Sequence, residues 1–486
     1  MMSYRLKSLV LPVVFLASHA AAQTGTTSLP TEPPAPSPVQ ASEPPQPPAP
    51  PPPAESTKLP AKPAATPGTV TSKWNATLYG FAEFDIMHDS TESFSDSPGN
   101  GLIVRSDGST AFAGTHGRTQ TTARNSRLGI RLAAPEWNSI KATGLIEGDF
   151  MGNQPAVTEG SFLNSATFRL RAATVKAETP YIDVLAGQTY FLFGQQPYFF
   201  PPSLWFFGLP NQVFGRTQQL RISHAFKSDP VNLEIAASAQ RPPQRDSEIP
   251  DLQGALKITL NDWKGVHSIG SGSASLDGLT IGVSGSVRSF RVNEFTATPM
   301  NANTATGWGV SVDGMIPIIP ASSATDKANA LTATGSFVTG SGDGDLYGLT
   351  GGATFPSLPP PAGGGTAPAF NANIDNGIVQ YDSNGVLRTL NWTTFMVGLQ
   401  YYLPPHGEVL LAADYTQGDS DNITDGLTGS ALGKVMKKSQ FFEATLLADI
   451  TPAIRAGFAW QHLEQTLGDG VKNTNERFEL SAYYFF

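Results

Sequence analysis

Arg127, Arg131, Arg169, Arg171, Arg221, Lys257 and Arg288 fall in the same two-residue phase as Glu83, Asp85, Glu147, Asp149 and Glu234. Most are flanked on the opposite phase by leucine, isoleucine, phenylalanine or alanine. In an extended chain successive side chains point to opposite faces, so each of these charges shares a face with polar neighbours and turns its back on an apolar row. Guanidiniums in this setting bind carboxylates through two parallel hydrogen bonds. Lining a water-filled passage, they would draw anions through it. The same residue types allow a second outcome, in which Arg and acid on neighbouring strands pair with each other and neutralise the wall.

A second group lies between Phe193 and Arg216, in the stretch FGQQPYFFPPSLWFFGLPNQVFGR. Tyr198, Phe199, Phe200, Trp205, Phe206 and Phe207 crowd it, and it contains no acid. Its expected place is either a constriction inside a pore, offering aromatic surface, or a segment buried on an inner wall or at a subunit contact. Enzyme chemistry finds little support. The chain has no Cys and its seven His are scattered, which removes thiolate nucleophiles, Cys-based metal sites and disulfides. His224 beside Ser223 is a lone pair on opposite strand faces. The acidic, Gly-containing loops at Gly340–Gly344 and Asp419–Asp425 lack the spacing and closing Glu of an EF-hand. No catalytic residue, metal or cofactor is expected. A net charge of −9 argues against nucleic acid, whose binding rests on basic patches.

The elements that must position these residues are strands. Period-two alternation recurs at about 74–87, 122–133, 139–150, 164–178, 181–192, 217–227, 230–240, 252–261, 276–292, 305–318, 326–339, 390–403, 407–417, 436–449, 453–463 and 477–486. The connections alternate in length. Short ones sit at Ala134–Asn138, Thr179-Pro180, Ser228-Asp229, Pro404–His406 and Ile450–Pro452. Long ones sit at 88–121, 151–163, 193–216, 340–389, 418–435 and 464–476. Links at 262–275 and 319–325 are longer than a turn requires. Short turns on one side and long loops on the other are the mark of a transmembrane barrel. The predicted fold is therefore all-β: a transmembrane antiparallel β-barrel of sixteen strands over residues 74–486, porin-like.

Residues 1–22 read as a secretory signal. Arg5 and Lys7 precede a short apolar run, and Ala20-Ala21-Ala22 offers a cleavage site. Residues 23–73 form a Pro-rich tract that favours extended polyproline II and cannot bury a core. It is expected to be a disordered periplasmic spacer, with cell-wall contact as its functional alternative. The last predicted strand alternates Phe478, Leu480, Ala482, Tyr484 and Phe486. Aromatics on alternate positions belong at a membrane interface girdle, and Phe478, Tyr484 and Phe486 are expected to act in assembly.

Four segments resemble the DcaP-like trimeric porins of the bacterial outer membrane: Leu78–Asp85 (LYGFAEFD), Asn125–Arg131 (NSRLGIR), Leu185–Tyr190 (LAGQTY) and Ile249-Pro250-Asp251. The layout agrees from residue 74 to 486, and the motifs cluster before residue 260. Members of that family can carry an N-terminal coiled coil; here a proline tract without heptads stands in its place. The resemblance implies a homotrimer in the outer membrane, in contact with lipid and lipopolysaccharide, with its N-terminal segment in the periplasm. It also implies passive diffusion of small, often anionic, organic solutes. The competing expectation is a closed barrel that binds or adheres through its long outer loops; an outer-membrane hydrolase is a third.

Overall fold

The computed structural model describes residues 74–96, 102–152, 166–205, 208–242, 247, 249–272, 274–294, 298–321, 323, 325–348, 377–382 and 386–486. The signal and the Pro-rich tract lie outside these residues. So do Phe206 and Phe207 of the aromatic loop.

Sixteen antiparallel strands close on themselves. They are β1 (Asn75–Asp89), β2 in two segments (Arg118–Thr122 and Arg127–Ala133), β3 (Lys141–Asp149), β4 (Arg169–Glu178), β5 (Asp183–Tyr190), β6 (Arg216–Lys227), β7 (Val231–Gln240), β8 (Asp251–Ser268), β9 (Ala274–Asn293), β10 (Ala302–Ile319), β11 (Leu331–Ser341), β12 (Asn391–Tyr402), β13 (Val409–Asp419), β14 (Met436–Thr451), β15 (Ile454–Leu467) and β16 (Lys472–Phe485). Each pairs with its sequence neighbour, and β1 pairs with β16 to close the ring. Both segments of β2 lie along the same edge of β1, Asp85↔Thr122 above and Phe81↔Arg127 below, so they are one strand interrupted at residues 123–126. All sixteen expected strands are present. Closure leaves no unpaired edge, the condition for a sheet to sit in hydrocarbon.

The outer face is apolar and exposed. Leu128, Ile130 and Leu132 on β2, Leu252, Leu256 and Ile258 on β8, and Phe395, Val397 and Leu399 on β12 are each more than a third accessible. A soluble monomer rarely leaves so much contiguous apolar surface bare; a bilayer covers it. The alternate residues face inward and, Arg131 apart on these three strands, are buried or half-buried. None of the helices among the described residues is long and apolar enough to cross a membrane.

Two expected connections differ. The link at 464–476 is mostly strand, because β15 and β16 run on and turn at 468–471. The link at 262–275 is mostly strand too: β8 continues to Ser268 and β9 begins at Ala274. A three-residue hairpin, Val379–Tyr381 with Leu387–Thr389, stands within the loop that follows β11.

Candidate functional site

The aromatic loop, residues 191–215, folds into the barrel and lies along its inner wall. Its anchors are polar and evenly spread. The Phe193 amide donates to Gln253 Oε1 at 2.7 Å, and the Gly194 amide to Ser284 Oγ at 2.8 Å. Tyr198 bonds Thr280 at 2.9 Å. Further along, Ser203 Oγ donates to Glu443 Oε2 at 2.6 Å and the Leu204 amide to Glu443 Oε1 at 3.0 Å. Asn211 Nδ2 donates to Thr416 Oγ1 at 3.0 Å. The loop therefore spans from β8 and β9 to β13 and β14. Its apolar side chains pack outward against that wall. Leu204 joins Tyr402, Leu410, Leu447 and Tyr483, and Trp205 meets Phe441 edge-on at 5.0 Å.

This packing changes what the aromatics offer. Phe199 is 1%, Phe200 9% and Trp205 8% exposed. Tyr198 is half-buried, as are Tyr190 on β5 and Phe214. Among the described residues, the rings here with accessible faces are thus Tyr190, Tyr198 and Phe214.

The wall left uncovered is basic. Asp149 takes Arg169 through two bonds of 2.9 and 2.6 Å and also accepts from Arg171 Nη1 at 2.8 Å. Glu147 accepts from Arg171 Nε at 2.9 Å and from the Tyr79 hydroxyl at 2.9 Å, with Arg127 Nε 3.8 Å away. Arg127 also lies 5.0 Å over the Phe81 ring, and Arg131 5.4 Å over Tyr79. The alternative of wall-neutralising pairs is therefore realised, but only in part. Arg216 contacts the Tyr190 hydroxyl at 3.3 Å and sits over the rings of Tyr190 and Phe214 at 5.2 and 5.5 Å. Arg221 donates to Gln219 Oε1 at 3.0 Å and to the Tyr190 carbonyl at 2.8 Å. Among the described residues neither forms an ion pair. Six guanidiniums on β2, β4 and β6 thus surround two carboxylates. Lys257 adds a pair with Glu234 at 3.0 Å and stands 4.9 Å over the Tyr198 ring.

Other expected pore residues sit elsewhere. Arg288 is 0% exposed. Its Nε holds Asp251 at 3.0 Å, and its terminal nitrogens hold Asp345 and the Gly342 carbonyl. It fastens the start of the loop after β11 to the wall and has no surface left for a solute. Glu83 and Asp85 are inward but sealed at 3% and 0%. Asn125 Nδ2 donates to Glu83 at 2.6 Å and Ser481 Oγ to Asp85 at 2.6 Å. They belong to a row of buried acids with Asp414, Glu443 and Glu479 on β13, β14 and β16. Glu443 is the one that grips the aromatic loop.

Sequence reasoning missed Arg216, which opens β6 and reads as the end of the loop before it. It also missed Asp414, Glu443 and Glu479, although period two placed each on an inward face. Below the arginine wall a cavity of about 750 Å³ opens, lined by Tyr79, Phe81, Arg127, Glu147, Lys327, Asp449, Arg455, Phe485 and Phe486 among others. Phe478, Tyr484 and Phe486 are 45%, 55% and 50% exposed on the outer face. Phe486 exchanges two backbone bonds of 3.1 Å with Gly80, at the seam.

No family model and no curated protein sequence matches this chain. Among solved structures it is similar to the outer membrane channel DcaP of Acinetobacter baumannii, with a TM-score of 0.59 and 18% identity over 85% of this chain and 97% of that one. It is also similar to the anion-selective porin from Comamonas acidovorans, with a TM-score of 0.49 and 10% identity over 85% of this chain and 100% of that one. The first likeness establishes the fold: a closed sixteen-stranded barrel of the outer-membrane channel type.

Proposed function

We propose that this barrel is an outer-membrane diffusion channel for small anionic organic solutes, aromatic acids among them. The observation that carries the reading is the asymmetry of the interior. The aromatic loop covers the wall from β8 to β15, and the wall it leaves open carries Arg127, Arg131, Arg169, Arg216 and Arg221, while Arg171, 2% exposed, is sealed among Glu147, Asp149 and Tyr190. Such a surface offers a carboxylate charge-assisted bonds, bidentate where the fork is free. Tyr190, Tyr198 and Phe214 lie beside it, and ring contacts add about 0.5–1.5 kcal/mol. Contacts of this size bind without trapping, which conduction requires. Arg288, Glu83 and Asp85, being sealed, take no part in contact with the solute; Glu147 and Asp149 limit the wall's positive charge and orient its arginines.

No catalytic role is proposed for any residue. The homotrimeric state, the periplasmic placement of the N-terminal segment and the assembly role of Phe478, Tyr484 and Phe486 belong to the same proposal. Electrophoresis of unheated protein against heated protein tests the trimer.

The second reading is a closed barrel that binds partners through its outer loops. It is favoured by the extent to which the loop 191–215 fills the interior. Planar-bilayer recording separates the two. A channel gives discrete conductance steps and, in a salt gradient, a reversal potential of anion-selective sign. Absence of steps from folded protein would leave the closed barrel.

A further inference from the structure

Residues 261–278 do not continue the barrel wall. β8 pairs with β7 only as far as Leu260↔Val231, and β9 pairs with β10 only from Thr280↔Met315 onward. Beyond those rungs the ladder continues only between the two arms, from Lys264↔Gly278 to Ser268↔Ala274, while at its root the Asn261 amide donates to the Pro230 carbonyl at 3.1 Å and the Trp263 indole to the Pro317 carbonyl at 2.7 Å. The register breaks between Gly278 and Leu279, leaving Asn261, Asp262 and Trp263 as extra residues on one arm. Extra residues on one strand of a pair bend it, and here the bend is inward. Val266, His267 and Ser268 are each 1% exposed, where a turn at a barrel rim would stand in water.

The hairpin then crosses the mouth. The Val266 carbonyl accepts from Thr332 Oγ1 on β11 at 2.6 Å, and the Ser268 amide donates to Gln400 Oε1 on β12 at 3.0 Å. At the tip the Gly270 amide donates to the carbonyl of Pro201, in the aromatic loop, at 3.1 Å. Arg455 on β15 reaches the carbonyls of Ser271 and Gly272 at 2.7 and 2.6 Å while its Nε holds Asp449 at 2.6 Å. A segment rooted at β8 and β9 is thus pinned to β15, most of the way across a sixteen-stranded ring. Closing a hairpin takes two to five residues; this one spends eighteen, and the β9–β10–β11 ladder does not need them.

We infer that this inward hairpin is a second constriction, set at the periplasmic end against the aromatic loop, and that it fixes the channel's size limit, with Arg455 as the residue that positions its tip. The inference rests on the channel reading. The passage left beside the hairpin is the cavity lined by Arg127, Phe81 and Phe485 of the wall together with Gly272 and Ala274 of the hairpin. A solute leaving the arginine wall must pass it.

The test replaces residues 261–278 with a two-residue Asn-Gly turn joining Leu260 to Leu279, which already face each other. Conductance is read in planar bilayers, and the size limit by swelling of liposomes in neutral sugars of increasing mass. Heat-modifiable migration confirms the barrel. The expected result is at least about a twofold rise in conductance, entry of larger sugars, and an anion/cation ratio close to the parent's because the arginine wall is intact. The chain has no cysteine, so Ser271→Cys supplies a single thiol at the tip. A bulky thiol reagent added on the periplasmic side is expected to cut the current by roughly half. A folded deletion variant with the parent's conductance and sugar limit, or a Ser271→Cys current that ignores the reagent, overturns the second constriction while the channel stands. A parent protein that never conducts overturns the channel reading and this inference with it.

Discussion

At the scale of single residues, the arginines divide by their partners. Arg169 is held by both oxygens of Asp149, so its charge is locally answered. Arg216 and Arg221 bond a hydroxyl, an amide and a carbonyl. One unit charge about 7 Å from an ion in a water-like dielectric is worth about 0.6 kcal/mol, roughly threefold in local anion concentration. Arg216→Ala or Arg221→Ala is therefore expected to lower the anion/cation permeability ratio by roughly two- to threefold, and Arg169→Ala by less. Reversal potentials of the three variants in one salt gradient check the order. If Arg169→Ala has the largest effect, the carboxylate partners do not decide the wall's charge.

Asp343, in the loop after β11, gives a pH dependence. It is 0% exposed. Burial pushes its carboxyl up to about 7, while the Tyr347 hydroxyl donating at 2.5 Å and the charge of Arg288 pull the other way. An unfolded aspartate titrates near about 3.9. A carboxyl raised on folding stabilises the docked loop below the unfolded value and loses that contribution as pH rises through the folded one. Protection of residues 342–348, the open-chain exchange rate at each pH divided by the observed rate, is expected to be high at pH 5 and lower above pH 7, and Asp343→Asn should flatten the profile. Lower protection at the acidic end would contradict the assignment.

At the scale of elements, the strands were legible because two solvents write them. Lipid outside and water or packed polar groups inside impose period two on every crossing, so Leu128-Gly129-Ile130-Arg131-Leu132 announces both its strand and its faces. The inward hairpin was not legible in the same way. Residues 262–275 carry no regular apolar–polar alternation, because both faces of the arm are covered at Gly265–Ser268 once it has left the wall. The one signal was length, in a link too long for a turn. The sealing of Phe199, Phe200 and Trp205 was hidden for a related reason: a run of aromatics shows that surface must be covered, not whether wall or solute covers it. At the seam, Phe486 pairs with Gly80 by two backbone bonds and leaves its ring half exposed. Phe478 stands on the outer row, where a charge costs about 2–4 kcal/mol near the midplane and less toward the interfaces. Phe478→Asp and Phe486→Asp are expected to reduce folded barrel in the outer membrane, the former more, with unchanged unitary conductance in the molecules that assemble. Normal yields of both would remove the assembly role.

At the scale of the whole molecule, two charge distributions compete. The chain carries −9 overall, which by itself would gather cations at both mouths. Several of the inward acids are sealed away from the lumen, and Glu147, Glu234 and Asp449, which are not, each stand beside a basic side chain. Asp414, Glu443 and Glu479 are 1%, 0% and 1% exposed, and Glu443 is capped by Ser203 and Leu204 of the aromatic loop. The open face is therefore the arginine wall, and an ion in transit meets that wall within a few ångströms while the outer charges stand farther off. Screening decides which is felt. The Debye length is about 10 Å at 0.1 M salt and about 3 Å at 1 M. Near 0.1 M the wall still reaches across a passage a few ångströms wide, so anions are expected to be preferred despite the acidic total. Near 1 M an ion at the centre of the passage lies beyond the wall's reach, and the permeability ratio should fall toward that of the free ions. Reversal potentials at fixed gradient and rising mean concentration measure this directly. A ratio that stays constant from 0.1 to 1 M would mean that anions are chosen by contact with the guanidiniums rather than by their field. Cation preference at the low end would mean that the acidic total governs and the wall does not.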